Sequence, residues 1–228
     1  MPRLYVANRN YSSWSLRPWV LMRVLGIAFE EKLVPFGGRG EPNAFRAFSP
    51  TGQVPCLDDD GVMVWDSLGI VLHLAERHPE VWPHDALARS WARCAAAEMH
   101  SGFGTLRDIC TMNCGIRVRV EPCPAALLRE LARLDALWGE GLERFGGPFL
   151  AGKAFTAVDA FFAPVAFRIQ TYDPPLAPHS RDYARRLLAL PAMQEWYEAA
   201  LKEPWRDAAH EEEAHRSGTW IQDLRTVK

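Results

Sequence analysis

Apolar positions recur at two different periods along this chain, and the change of period divides it. Residues 3–7 read as a short buried strand, after which Leu16, Val20 and Val24, joined by Leu21 and Leu25, repeat at helical spacing. Pro18 is expected in the first turn of that helix and Gly26 at its C-terminal cap. Ile27 to Pro35 predicts a second strand with Glu30, Glu31 and Lys32 inside it, and Phe36–Asn43 is a loop by composition. Asn43 can cap a short helix over Ala44–Phe48. Val54–Leu57 and Val62–Trp65 then predict two strands joined by the turn Asp58-Asp59-Asp60-Gly61. A helix follows over Ser67–Arg77, with Leu68, Val71, Leu72 and Ala75 on one face. A helix between the first two strands implies a parallel pair and the last two form a hairpin, so residues 1–80 predict a small α/β domain with a mixed sheet.

Beyond a linker at Pro83-His84-Asp85 only helical periods are found. Residues 86–110 read as one long helix, and Pro124–Phe145 as another with Leu127, Leu131, Leu134 and Leu142 inward. Ala157–Tyr172 is apolar almost throughout as far as Phe167, the mark of a helix buried on every side. Pro191–Glu203 is a shorter amphipathic helix, and the tail from Glu211 is polar except for Trp220. Residues 86–228 therefore predict an all-helical domain, and the fold class is α/β followed by all-α.

Composition narrows the partners. A net charge of −2 over 228 residues, with no basic tract, disfavours nucleic acid and anionic membranes. No apolar run approaches the ~18 residues of a spanning helix, and a strand from residue 4 leaves no room for a signal peptide. Cys56, Cys94, Cys110, Cys114 and Cys123 fit no disulfide framework and no zinc spacing, so five reduced thiols, no metal and a cytoplasmic protein are expected.

Three features carry chemistry. Residues 8–19, Asn-Arg-Asn-Tyr-Ser-Ser-Trp-Ser-Leu-Arg-Pro-Trp, turn from a strand into a helix and bring hydroxyls and free N–H groups to a helix N-terminus, a site suited to an anion. Ser12, Ser13 and Ser15 serve equally as plain caps. No Gly-x-Ser-x-Gly elbow is present, so a hydroxyl that donates to a bound anion fits better than a serine nucleophile. Val54-Pro55 opens a strand, either as an ordinary edge proline or as a cis turn offering the Val54 N–H and C=O to a peptide-like ligand. Asp66-Ser67 opens a helix, either as a plain N-cap or as a site where Ser67 holds a carboxylate and Asp66 an ammonium.

Taken in order, Ser-Ser-x-Ser-x-Arg, Gln53-Val54-Pro55, Asp66-Ser67 and the box Thr156-Ala-Val-Asp159 resemble the cytosolic glutathione S-transferases over the whole chain, in a bacterial, serine-type form that is zeta-like at its N-terminal motif. The resemblance implies a thioredoxin-like N-terminal domain followed by the all-helical domain, a homodimer, and glutathione as co-substrate. It implies that Gln53, Val54 and Pro55 hold the cysteinyl part, that Asp66 and Ser67 hold the γ-glutamyl end, and that Ser12, or its rival Ser13, activates the sulfur. Arg39, or a residue near Asn43, is the candidate for the glycyl carboxylate. Trp14 stands where zeta-like members carry cysteine.

A small, largely apolar electrophile is expected beside the sulfur, against Trp14, Met99, His100, Phe103, Leu106 and Arg107. The implied activity is transfer of the glutathione thiolate. The alternatives are a non-catalytic scaffold of the same fold that binds a protein partner, and a maleylacetoacetate-type isomerase, whose acidic diene Arg107 would receive.

Overall fold

A computed structural model describes residues 1–37 and 43–225 of the chain. The first part runs β1 (Arg3–Val6), α1 (Ser13–Leu25), β2 (Glu30–Leu33), a short 3-10 turn (Ala44–Ala47), β3 (Cys56–Asp59), β4 (Val62–Trp65) and α2 (Ser67–Ala75). Its sheet has the order β2-β1-β3-β4, with β1 parallel to β2 and antiparallel to β3, as the crossover helix and the hairpin require. Asp60 and Gly61 both take positive φ between β3 and β4, the geometry of a two-residue hairpin loop. Gly26 closes α1 in the left-handed conformation, and the Asn43 side chain caps the 3-10 turn through Phe45 N.

Two details differ from expectation. Helix α1 starts at Ser13, so Pro18 lies inside it rather than in its first turn. The inward face of α2 is Ser67, Ile70, Val71 and Leu74, while Leu72 is 49% exposed. The predicted face was therefore rotated about the helix axis.

The second part comprises α3 (Ala86–Ser101), α4 (Gly104–Ile109), β5 (Ile116–Arg119), α5 (Ala125–Phe145), α6 (Ala157–Tyr172), α7 (Pro178–Leu188), α8 (Pro191–Lys202), α9 (Ala208–Ser217) and β6 (Thr219–Asp223). It is largely helical, but not wholly: β5 and β6 pair as an antiparallel ribbon. In β5, Ile116 and Val118 are buried and Arg119 is exposed, an alternation too short to read against the helical background. The expected single helix over residues 86–110 breaks at Gly102-Phe103. There the Glu130 carboxylate accepts from Thr105 N and Leu106 N and caps a second, short helix.

Helix α6 is the axis of the molecule. Every residue in it except Gln170 is buried, and it packs against α1, α3, α7 and β5. Asp159 reaches back to Thr156 N at 2.9 Å, as the predicted capping box requires. One continuous apolar core runs through both parts of the chain.

Candidate active site

The N-terminal ends of α1 and α2, the turn before β3, and helices α4, α6 and α9 surround a cavity of about 1060 Å³. Ser12, Ser13, Trp14, Gln53, Val54, Pro55, Asp66, Ser67 and Arg107 all line it, although they come from four separate stretches.

The turn that carries the serines is fastened from behind. Tyr11 N and Ser12 N both donate to Asn8 O, and the Asn8 side chain accepts from Phe36 N at 2.7 Å. From the other half of the chain, Glu203 accepts from Arg9 N at 2.8 Å, Trp196 Nε1 donates to Arg9 O at 2.9 Å, and Asn10 Nδ2 donates to Ala200 O. Burial raises the Glu203 carboxyl above its ordinary range against the pull of those donors. Ser12 is the N-cap of α1 without a side-chain capping bond; its Oγ donates to Ser15 Oγ at 2.7 Å, which in turn accepts from Ala7 N. The Ser13 hydroxyl has no protein partner among the described residues. Tyr11 is already committed: its hydroxyl donates to Glu211 at 2.6 Å, and burial beside that carboxylate raises its pKa strongly, so it offers no proton to a ligand.

Val54 precedes the β1–β3 ladder, which starts at Tyr5 and Cys56, and neither its N–H nor its C=O has a partner among the described residues. The Val54–Pro55 bond is cis. At α2, Asp66 Oδ1 accepts from Leu68 N at 2.7 Å, so this side chain does cap the helix. Asp66 holds φ +68, a conformation that costs a non-glycine residue ~1–2 kcal/mol and collects at ligand sites. Ser67 is buried, and its Oγ accepts from Arg17 Nη1 at 3.5 Å.

Cations gather at one side. Arg17 is buried between the rings of Trp14 and Phe161, 4.1 and 4.9 Å from their centroids. Burial, then the nearby Arg107 and Arg168, push its pKa down to about 9. Arg107 donates to the carbonyls of Met99 and His100, and Arg168 to those of Arg107 and Cys110. Arg107 and Arg168 line the cavity, and neither pairs with a carboxylate among the described residues. Arg168 is 5% exposed, and burial lowers its pKa to about 10. Two arginines without counter-ions at a cavity wall favour an anionic occupant.

The apolar wall expected from α3 and α4 is not there. Met99 on α3, and Phe103 and Leu106 at the start of α4, are buried and do not line the cavity. Phe103 lines instead a smaller hollow beside Glu98 and Glu130. His100 lies behind Trp14, its ring edge-on at 5.3 Å, with Nε2 3.7 Å from Asp66 and a pKa lowered chiefly by burial. Arg39 falls outside the described residues.

Arg168, Phe36 and the α9 residues Asp207, His210 and Glu213 line the cavity without having been expected. A lone charge in the apolar run of α6 was a signal for Arg168; the polar tail offered none for α9. Among the described residues no group of three His, Cys, Asp or Glu side chains is placed to hold a metal, and no helix is long and apolar enough to cross a membrane.

The glutathione S-transferase N-terminal domain family matches residues 11–77, and the corresponding C-terminal domain family matches residues 117–199. The chain belongs to the glutathione S-transferase superfamily. Maleylacetoacetate isomerase of Rattus norvegicus is 25% identical over 201 residues, 85% of this chain and 90% of the relative. A zeta-class glutathione S-transferase of Euphorbia esula is 25% identical over 169 residues, 72% of this chain and 74% of the relative. Among solved structures, a glutathione transferase homologue from Burkholderia, crystallised with glutathione, superposes with a TM-score of 0.64 at 21% identity. That superposition covers 87% of this chain and 97% of the homologue. The shared superfamily fold is a thioredoxin-like half followed by a largely helical one.

Proposed function

We propose that the cavity binds glutathione and that the chain is a serine-type, glutathione-dependent isomerase of an unsaturated diacid. The observation that carries the reading is the meeting of two sets of groups in one cavity. The same cavity is lined by Val54, whose backbone is open, by the Asp66-Ser67 helix start, and by Arg107 and Arg168, which have no carboxylate partners among the described residues. Val54 takes the cysteinyl backbone as an added strand, Ser67 and the α2 N-terminus take the γ-glutamyl carboxylate, and Asp66 takes the ammonium.

The sulfur then lies by Ser12. A free thiol of pKa ~8.5 is only a few per cent ionised at neutral pH, and a hydroxyl donor beside the positive end of α1 shifts it toward thiolate. Ser12 Oγ donates to Ser15 Oγ, which also accepts from Ala7 N; this tether holds the Ser12 oxygen in place, has no counterpart at Ser13, and leaves the Ser12 proton to turn toward a thiolate when one is bound. The thiolate adds to an alkene carbon and the displaced electron pair moves onto the conjugated carbonyl oxygen. The former double bond rotates, and the pair returns as the thiolate leaves. Arg107 and Arg168 would hold the acid groups and the transient oxyanion.

The maleylacetoacetate isomerases among the relatives support this reaction over conjugation of an apolar electrophile. Conjugation is the second reading, since displacement of a halide needs the same thiolate. Retention on a glutathione column, followed by turnover of maleylacetoacetate against a standard aromatic chloride, tests both; a chain that passes through the column unretained is a scaffold instead. Arg107→Gln and Arg168→Gln are each expected to raise KM for the diacid by about 10-fold or more, the ~1.5–3 kcal/mol of a charge-assisted contact, with little change for the uncharged chloride. Equal losses on both substrates would assign these arginines to structure. The superfamily relationship supports a homodimer, to be read by sedimentation. Five unpaired cysteines support a reducing, cytoplasmic setting.

A further inference from the structure

Helix α9 brings to the cavity a histidine that is oriented as a base. The His210 ring lies against two cavity-lining rings, Tyr11 at 5.0 Å and 21° and Phe36 at 4.9 Å and 33°. Its Nδ1 is 2.7 Å from Asp207 Oδ1, and its backbone N–H donates to the same oxygen as Asp207 caps the helix. A carboxylate only accepts, so Nδ1 carries the proton. Nε2 is then the basic nitrogen, and it has no protein partner among the described residues. A base held in one tautomer by a carboxylate, at the wall of a reaction cavity, is the arrangement that general-base catalysis uses.

Resting on the glutathione reading above, we propose that Asp207 and His210 form the base that takes the thiol proton of bound glutathione, directly or through one water. The S–H bond breaks with its electron pair left on sulfur, Nε2–H forms, and Asp207 carries the resulting imidazolium. The proton passes to solvent at the cavity mouth. Tyr11, stacked on the ring, is the residue before Ser12, and His210 and Ser12 line the same cavity.

The charges facing the ring suit the transfer. From α9 these are Asp207, Glu211 and Glu213; from the serine turn, the Tyr11 hydroxyl; from α4, Arg107 and Asp108 across the cavity. Arg225, reaching in from the C-terminal side of β6, pairs with Glu211 through both guanidinium nitrogens and also with Asp223, and Arg206 approaches the same carboxylates. Glu211 is thereby paired, which leaves Asp207 as the carboxylate bonded to the ring and Glu213 as a further carboxylate at the cavity wall.

Stopped-flow mixing with glutathione, read by the ultraviolet absorbance of the thiolate and by a pH indicator, tests the assignment. His210→Phe keeps the ring stack and is expected to bind glutathione with a similar Kd but to form thiolate about 10²-fold more slowly. In His210→Ala, added imidazole should restore the rate, which a packing role would not allow. Thiolate formation at the wild-type rate in His210→Phe, or no response to imidazole in His210→Ala, overturns the proposal. A wild-type chain that binds no glutathione overturns the functional reading and this proposal together, whereas binding with unaltered kinetics in the variants removes this proposal alone.

Discussion

Ser12→Ala is expected to cut turnover by about 10²-fold and to raise the kinetic pKa of bound glutathione by about one to two units, while leaving the glutathione Kd nearly unchanged. The magnitude follows from a charge-assisted hydrogen bond of ~1.5–3 kcal/mol, at ~1.4 kcal/mol per pKa unit. Losing one preorganised donor to a reacting anion is of the same order or somewhat larger. Affinity survives because the peptide is gripped elsewhere, by Val54, Asp66 and Ser67, and the neutral thiol needs no donor. The turn should survive as well: Ser12 makes no side-chain capping bond, and its backbone bonds to Asn8 and Leu16 do not involve Oγ. Ser13→Ala should change the rate by far less. A pH–rate profile over both variants decides between the serines, and a shifted profile in Ser13→Ala with an unshifted one in Ser12→Ala reverses the assignment. Ser15→Ala should reproduce part of the Ser12 effect, because Ser15 Oγ accepts from the Ser12 hydroxyl and holds it in place.

That much of the site could be read from the chain because it is built from local signals. Each of Ser12, Val54, Asp66 and Ser67 sits where a strand gives way to a turn or a helix begins, and such boundaries are written in short patterns of Pro, Asp and Ser. The sheet was legible for a similar reason, since a two-residue loop at Asp60-Gly61 and a helix between β1 and β2 leave few topologies. What escaped depends on contacts distant in sequence. The second helix after the break at Gly102 is capped by Glu130, some 25 residues on, and that helix buries Leu106 while Arg107 lines the cavity. Strand β5 exists because β6, about 100 residues away, completes it. His210 reaches the cavity because Glu211 in the next position is tied to Tyr11 and Arg225, and nothing in the polar tail announces that tie.

Asp159→Ala should be the most destabilising single change, by about 3–5 kcal/mol. This carboxyl is fully buried and accepts from four donors: Leu150 N at 3.0 Å, Thr156 N at 2.9 Å, the Tyr183 hydroxyl at 2.7 Å and, more weakly, the Thr156 hydroxyl at 3.4 Å. Alanine strands these donors at ~1–3 kcal/mol for each group left unsatisfied, reduced by whatever water the vacated space admits. Tyr183→Phe removes one donor and leaves no orphan on Asp159, so it should cost only ~1 kcal/mol. The same carboxyl sets a pH dependence. Burial outweighs the hydrogen-bond donors and raises its pKa to about 6, above the ~3.9 of an unfolded chain. The folded state therefore holds the proton more tightly. Its contribution is fully present below pH ~4 and is lost as pH rises through about 6, a slope that calorimetry across that window should detect in the parent and find missing in Asp159→Ala. Stability here is tied to chemistry through α6, which Asp159 starts and which carries Arg168 to the cavity while packing along α1 behind Ser12. Loosening its N-terminus should hence cost catalysis at temperatures below the global transition, whereas Tyr183→Phe should leave activity intact until the protein unfolds.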